Sequence, residues 1–275
     1  MNAPFRLACI QINSGNEIMD NIDVASALVK AAAADGAVFI SLPECVALLE
    51  PDTNALLRKS FKEVEHPALK AFCALAVDLQ VWLHVGSLAV FSENGRIANR
   101  TFLIDPDGEI TATYDKIHMF DVELANGEAY RESAVYEAGK AAVTAELPWG
   151  RVGLTICYDV RFASLYFDLA TSGAKFIGVP SAFTRTTGRA HWHVLLRARA
   201  IETGCWIFAA AQCGDHAGDR RTYGHSLIVD PWGNTVADAG EKPGFIITDI
   251  DPAQVETARR MVPSLANARD YSVVA

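Results

Sequence analysis

The sequence predicts a four-layer α-β-β-α sandwich of the α+β class, in which two stacked sheets each carry helices on their outer faces. Three observations predict it. Short apolar runs of strand character recur about ten times along the 275 residues, and helical periodicity lies between only some of them. No linker, charge block, low-complexity tract or fixed-period repeat divides the chain, so it is read as one domain over residues 1–275. Many strands with few helices bury both faces of every sheet only if two sheets stack and helices cover the outsides.

Each element has its own signal. FRLACIQI at 5–12 alternates as a strand, and 18–34 carries apolar residues at helical spacing. AVFISLPE at 37–44 is a buried strand that ends on a charge. The apolar stretch 71–91 is interrupted by Asp78, Gln80 and His84, which argues against a membrane span and for a helix over 67–80 followed by the strand VWLHVGSLAV at 81–90. RTFLID at 100–105 and ITATYD at 110–115 follow, with tight turns at Asn94-Gly95 and Pro106-Asp107-Gly108 where strand succeeds strand. VGLTICYD at 152–159 runs into a helical pattern over 162–172. KFIGVPSA at 175–182, a helix over 191–203, CWIFAAAQC at 205–213, HSLIVD at 225–230 and, after a turn at Pro231-Trp232-Gly233, FIITDID at 245–251 complete the set.

Charge and cysteine usage exclude several classes of function. The 33 acidic residues outnumber the 24 basic ones, for a net charge of −9, and this field repels phosphate backbones and anionic lipid. Neither nucleic acid nor membrane is expected as a partner. The N-terminal segment passes directly into the first strand without the regions of a signal peptide, and the six cysteines contain no C-x-x-C pair. A reducing, cytoplasmic setting is the expectation.

Cys157 closes a strand just before a helical segment, on whose first turn Arg161 is expected. A strand running through a sharp turn into a helix presents its last side chain beside free backbone N–H groups. A nucleophile belongs there, with its thiol pKa lowered by the helix N-terminus and the Tyr158 N–H facing a developing oxyanion. A buried packing thiol fits the same run. Glu44 and Lys116 also lie just beyond strand C-termini, the edge where α/β sites collect. A glutamate raised toward the working pH range by an apolar site is a base for a thiol, and a lysine ammonium favours thiolate and oxyanion alike. The alternative is a surface ion pair between them, or no meeting at all.

Other candidates are weaker. His191 and His193, two apart on a helix, point to different faces, so no zinc site is expected. Cys205 and Cys213 lack ligand spacing and read as core thiols, and Gly224-His225-Ser226 lacks the following glycine of a nucleophile elbow. No phosphate-cradling or dinucleotide-binding glycine pattern occurs, and no cofactor is expected.

The blocks LPE at 42–44, YDKIHMFDVEL at 114–124 and CYDVRF at 157–162, in that order and separation, resemble the nitrilase, or carbon–nitrogen hydrolase, superfamily. PSAFTRTTGRAHWHVLLRARAIETG and YGHSLIVDPWG extend the resemblance almost to the C-terminus. It implies a nitrilase-like sandwich and hydrolysis of non-peptide C–N bonds by a Glu-Lys-Cys set. Cys157 would be the nucleophile, Glu44 the general base and later acid, Lys116 the oxyanion stabiliser, and Glu132 the second glutamate that positions substrate or catalytic groups. True nitrilases usually follow the cysteine with Trp-Glu and carbamoylases with Asn-Asp-Arg-Arg, whereas Cys157-Tyr158-Asp159-Val160-Arg161-Phe162 looks like the branch of deaminated glutathione amidases and omega-amidases.

Within that branch, DVELANGEAYRES and LLRARAIETGCWIFAAAQCG are more similar to the deaminated glutathione amidases. The implied reaction cleaves deaminated glutathione to 2-oxoglutarate and cysteinylglycine through a thioester. The alternatives are an omega-amidase acting on 2-oxoglutaramate, another small-amide or carbamoyl hydrolase, or a catalytically silent interaction module. By the same resemblance, Arg161 would hold a carboxylate of a small anionic amide substrate, Phe183 and Thr187 would contact its α-keto acid portion, and the chain would form a homodimer or a higher homo-oligomer. Ala163, where the family commonly has proline, and the loop 125–130 depart from the pattern.

Overall fold

The computed structural model describes residues 3–92, 94–124 and 127–274. Residues 125 and 126, within the loop noted above as departing from the family pattern, lie outside the described residues.

Two mixed sheets form the frame. The first is built on β1 (Phe5–Gln11), β2 (Phe39–Ser41), β3 (Trp82–Phe91), β4 (Ile97–Ile104) and β5 (Ile110–Asp115). The second is built on β6 (Val143–Leu147), β7 (Gly150–Leu154), β8 (Phe176–Gly178), β9 (Trp206–Ala209), β10 (Leu227–Val229) and β11 (Thr235–Asp238), while β12 (Gly244–Ile250) returns to pair antiparallel with β1. Three neighbouring strands run parallel in each sheet, β1-β2-β3 in one and β7-β8-β9 in the other, and two antiparallel strands follow them. The parallel crossovers pass through α1 (Ile18–Ala34) and α2 (Pro67–Leu79) in the first half, and through α3 (Ala163–Thr171) and α4 (Arg185–Thr203) in the second; α5 (Ala253–Met261) follows the last strand.

The alternation of side chains along β1 separates the layers. Leu7 and Cys9 point into the core shared with the second sheet, where Phe5 meets Phe176 with ring centroids 5.4 Å apart and Phe39 meets Phe208 at 5.3 Å. Ala8 and Ile10 point the other way, into a core filled by Val29 of α1 and Phe72 of α2. One sheet thus buries both faces, the arrangement expected of the four-layer sandwich.

The tight turns at 94–95, 106–108 and 231–233 join antiparallel neighbours as expected, and the stretch 71–91 is a helix followed by a strand. Two boundaries differ. The helix expected over 191–203 begins at Arg185, through Gly188, whose absent Cβ would lie 2.4 Å from the Tyr223 side chain. That glycine is a packing requirement rather than a helix breaker. The strand that carries Cys157 stops at Leu154, and a 3-10 turn, Cys157–Arg161, precedes α3. Arg161 therefore ends that turn instead of lying in the first turn of an α-helix. The elements the sequence predicts do not include the edge strands β6 and β11, whose mostly half-buried or exposed residues give only weak apolar alternation, or the helix α5, whose apolar face is narrow and buries only Val255 and Ala258.

Candidate active site

Chain direction brings the chemistry to one edge. Glu44 follows β2, Lys116 follows β5 and Cys157 follows β7, all beyond strand C-termini, and Asn99 near the start of the antiparallel β4 reaches the same edge. Lys116, 2 % exposed, donates from Nζ to Glu44 Oε1 at 2.9 Å and to both oxygens of Glu132 at 2.9 Å. Asn99 Nδ2 donates to the same two carboxylates, at 2.9 Å to Glu44 Oε1 and 3.3 Å to Glu132 Oε1. Backbone N–H groups complete the shell, from Ala182 to Glu44 Oε2 at 2.7 Å and from Phe120 to Glu132 Oε2 at 2.6 Å. The buried Glu44 carboxylate and the half-buried Glu132 carboxylate repel, and the shared ammonium offsets that repulsion.

Cys157 opens the 3-10 turn at φ +48°, its N–H donating to the Pro180 carbonyl at 2.9 Å. Asp159, fully buried, pins this turn to the segment that carries the lysine. It accepts from Ile156 N–H at 2.9 Å, Tyr114 Oη–H at 2.7 Å and His118 N–H at 3.1 Å. Five non-glycine residues among those described have φ in the left-handed region, and Cys45, Cys157 and Asp219 of these line one cavity. Backbone strain of this kind collects where a fold holds reactive groups in place.

The electrostatics reverse two expectations. Burial pushes the Cys157 thiol well above its ordinary value, and the Glu44 charge and a hydrogen bond to it add to the rise, outweighing Lys116. Burial alone would raise Glu44, yet Lys116 beside it leaves the carboxyl below its usual range. Burial would likewise lower Lys116, but Glu132 and Glu44 hold it well above the usual amine range. The resting site therefore pairs a neutral thiol with an ionised base rather than a thiolate with a neutral acid. The helix N-terminus does not win because no α-helix starts at Cys157, and Lys116 is already committed to two carboxylates.

Glu44, Lys116, Glu132, Cys157, Tyr158, Phe183 and Thr187 all line a cavity of about 480 Å³. Arg161 is not among its lining residues; its guanidinium stacks 5.8 Å from the Tyr158 ring centre and 5.4 Å from that of Phe183, with Nη2 3.3 Å from His191 Nδ1. His193 meets Asp238 and His225 instead of His191, its Nε2 lying 3.0 Å from Asp238 Oδ2, and none of the three lines the cavity. Cys205 and Cys213 are buried, while Cys45, half-buried, joins the cavity wall with its thiol pushed up to about 12 by burial and the Glu44 charge. Sequence reasoning missed Asn99, Cys45, Tyr130 and Arg220. Only Asn99 carried a signal, since a polar residue inside the apolar run IANRTFLI needs a buried partner.

Residues 6–260 match the carbon-nitrogen hydrolase family. The chain belongs to that family. The hydrolase, which acts on carbon–nitrogen bonds other than peptide bonds, is 40% identical over 266 residues to a deaminated glutathione amidase of Synechocystis sp. (strain PCC 6803 / GT-S), covering 95% of this chain and 97% of that one. It is 37% identical over 271 residues to the Homo sapiens deaminated glutathione amidase, covering 96% and 82%. In structure it matches the Caenorhabditis elegans NitFhit protein with a TM-score of 0.91 at 35% identity, over 98% of this chain and 66% of that one. A Saccharomyces cerevisiae member of branch 10 of the nitrilase superfamily matches with a TM-score of 0.86 at 27% identity, over 94% of both chains. No helix among the described residues is long and apolar enough to cross a membrane.

Proposed function

We propose that this hydrolase is a cysteine-dependent amidase that cleaves the γ-amide of deaminated glutathione, giving 2-oxoglutarate and cysteinylglycine. The observation that carries the reading is the junction at Glu44, whose carboxylate is bonded to Lys116 and lines the same cavity wall as the Cys157 thiol. The choice of substrate is supported by the amidases it is similar to along nearly their whole length.

The resting protonation states shape the mechanism. As Sγ of Cys157 attacks the amide carbon, its proton passes to Glu44, so thiolate character develops only with the new C–S bond. Lys116 Nζ and the Tyr158 N–H stabilise the oxyanion of the tetrahedral intermediate. Protonated Glu44 then gives its proton to the departing amine as the C–N bond breaks. In the second half-reaction Glu44 takes a proton from water, which attacks the thioester; 2-oxoglutarate leaves and the thiol is restored. Glu132, accepting from Lys116 on both oxygens, holds the ammonium in place, and Phe183 and Thr187 shape the acyl subsite.

Comparing kcat/KM for deaminated glutathione and 2-oxoglutaramate tests the substrate. Preference for the smaller amide makes this an omega-amidase, activity on unrelated small amides or carbamoyl compounds alone makes it another hydrolase, and no amide turnover at all leaves an interaction module. Assembly as a homodimer belongs to the same proposal. It is supported by exposed apolar residues on α3 and the C-terminal segment, Phe167, Tyr271, Val273 and Val274, and sedimentation at a monomer mass overturns it.

A further inference from the structure

Three cations line the cavity, and they differ in their partners. Lys116 is paired with Glu44 and Glu132, and Arg131 with Glu123. Arg220 has no ion pair among the described residues. Its Nη2 donates to the Ala182 carbonyl at 3.1 Å, its guanidinium lies 5.8 Å from the Tyr130 ring centre, and its Nε, sealed from solvent, has no hydrogen-bond partner. A guanidinium is always charged and carries five donors matched to a carboxylate, so leaving one desolvated and incompletely bonded is costly unless a ligand completes it.

The backbone holds Arg220 where it is. Gly218 and Asp219 before it both take left-handed φ, +67° and +60°, and a Cβ on Gly218 would lie 2.7 Å from the Pro51 side chain, another part of the cavity wall. The Arg220 carbonyl accepts from His216 N–H at 2.8 Å, and three residues on, Tyr223 N–H donates to the Phe183 carbonyl at 2.9 Å. The Arg220 side chain is thereby held in the wall of the cavity that Glu44 and Cys157 also line, where the Glu44 charge acts on it. Its position fits an anion bound in the same cavity as an amide at the thiol.

We infer that Arg220 is the anion receptor of this cavity, fixing a carboxylate of the substrate by charge-assisted hydrogen bonds while the amide sits at Cys157. The inference rests on the amidase reading above and names the residue that selects for acidic amides. The carboxylate has two sources, the α-keto acid on the acyl side and the glycine end of the leaving group.

Steady-state kinetics of wild type and Arg220→Gln on deaminated glutathione, 2-oxoglutaramate and the glycinamide form of deaminated glutathione separate them. A fall in kcat/KM of about 100-fold on all three, carried mainly by KM, places the keto acid on Arg220. The same fall on deaminated glutathione alone places the glycine carboxylate there. Arg220→Lys, which keeps the charge and loses the fork, is expected to fall between. Wild-type kcat/KM in the glutamine variant, or an equal loss on an analogue with both carboxylates amidated, overturns the inference. Calorimetric titration with 2-oxoglutarate and with cysteinylglycine reads the receptor without turnover. Absence of wild-type activity on every keto-acid amide therefore rejects the proposed substrate without touching the receptor, which in that case falls if neither probe binds wild type or both bind the variant equally.

Discussion

The two halves of the chain follow one path and contribute different chemistry. The first runs β1-α1-β2-α2-β3-β4-β5 and the second β7-α3-β8-α4-β9-β10-β11, each with three parallel strands and then two antiparallel ones. The first half supplies the ion pair of Glu44 and Lys116 and the neutral amide of Asn99 that donates to Glu44, collected at its edge. The second supplies the nucleophile Cys157, the Ala182 N–H that fixes Glu44, and the Phe183 wall. Neither half holds a working set, so the same tertiary packing that buries Phe39 against Phe208 also assembles the chemistry. A stitch between the halves keeps them in register: Gln212 Nε2 donates to Ser14 Oγ at 2.7 Å and to the Glu44 carbonyl at 3.0 Å.

The sharpest way to break this division is to remove the second half's single reactive atom. Cys157→Ala is expected to lower kcat by about 10⁴-fold or more while the melting temperature changes little; retained hydrolysis would refute the assignment. Mass spectrometry with a slowly turned-over amide should find the acyl adduct on Cys157 and not on its cavity neighbour Cys45. In the first half, Glu44→Gln should cost on the order of 10³-fold in kcat, and a loss below tenfold would remove it as the base.

Lys116→Met tests whether one cation serves both carboxylates. It should cost roughly 10²- to 10³-fold in kcat and, because the buried Glu44 carboxylate is left without its ion-pair partner and with Glu132 facing it, about 3–5 kcal/mol of stability in denaturant titration. The pH profile sharpens the same point. With Glu44 held below the ordinary carboxylate range and ionised in the active form, kcat/KM should stay level as pH falls from 7 to about 5 and decline only below about 4.3. An acid limb centred near pH 6 would show that the lysine does not control the base. Asn99→Ala, which leaves the ion pairs in place, should have the smallest effect, near tenfold in kcat and about 1–2 kcal/mol in stability.

Much of this site was legible in the sequence because strand ends are legible. Glu44, Lys116 and Cys157 each stop an apolar run, and parallel strands deliver such residues to one edge whatever the loop lengths between them. The balance of charge at that edge was not legible. Spacing places a lysine near a cysteine, but the depth of burial and the sharing of one ammonium between two carboxylates are properties of the packed site, and they decide which proton stays where. The path shared by the two halves left no repeat in the sequence, since it depends on strand direction rather than residue identity. Arg220 stands in the polar loop AGDRRTY, where neither periodicity nor spacing marks it, and only closure of the fold puts it in the cavity wall. Arg161, the arginine that motif position favoured, instead braces the aromatic rings of Tyr158 and Phe183.

The raised Cys157 thiol has a consequence for survival as well as for turnover. Peroxides and electrophilic toxins react with thiolates, and a sulfur that stays protonated between turnovers gives them little to attack. Thiol reagents and peroxide should therefore inactivate the enzyme slowly in the absence of substrate, and a rapid loss of activity under dilute peroxide would show that the resting sulfur is ionised.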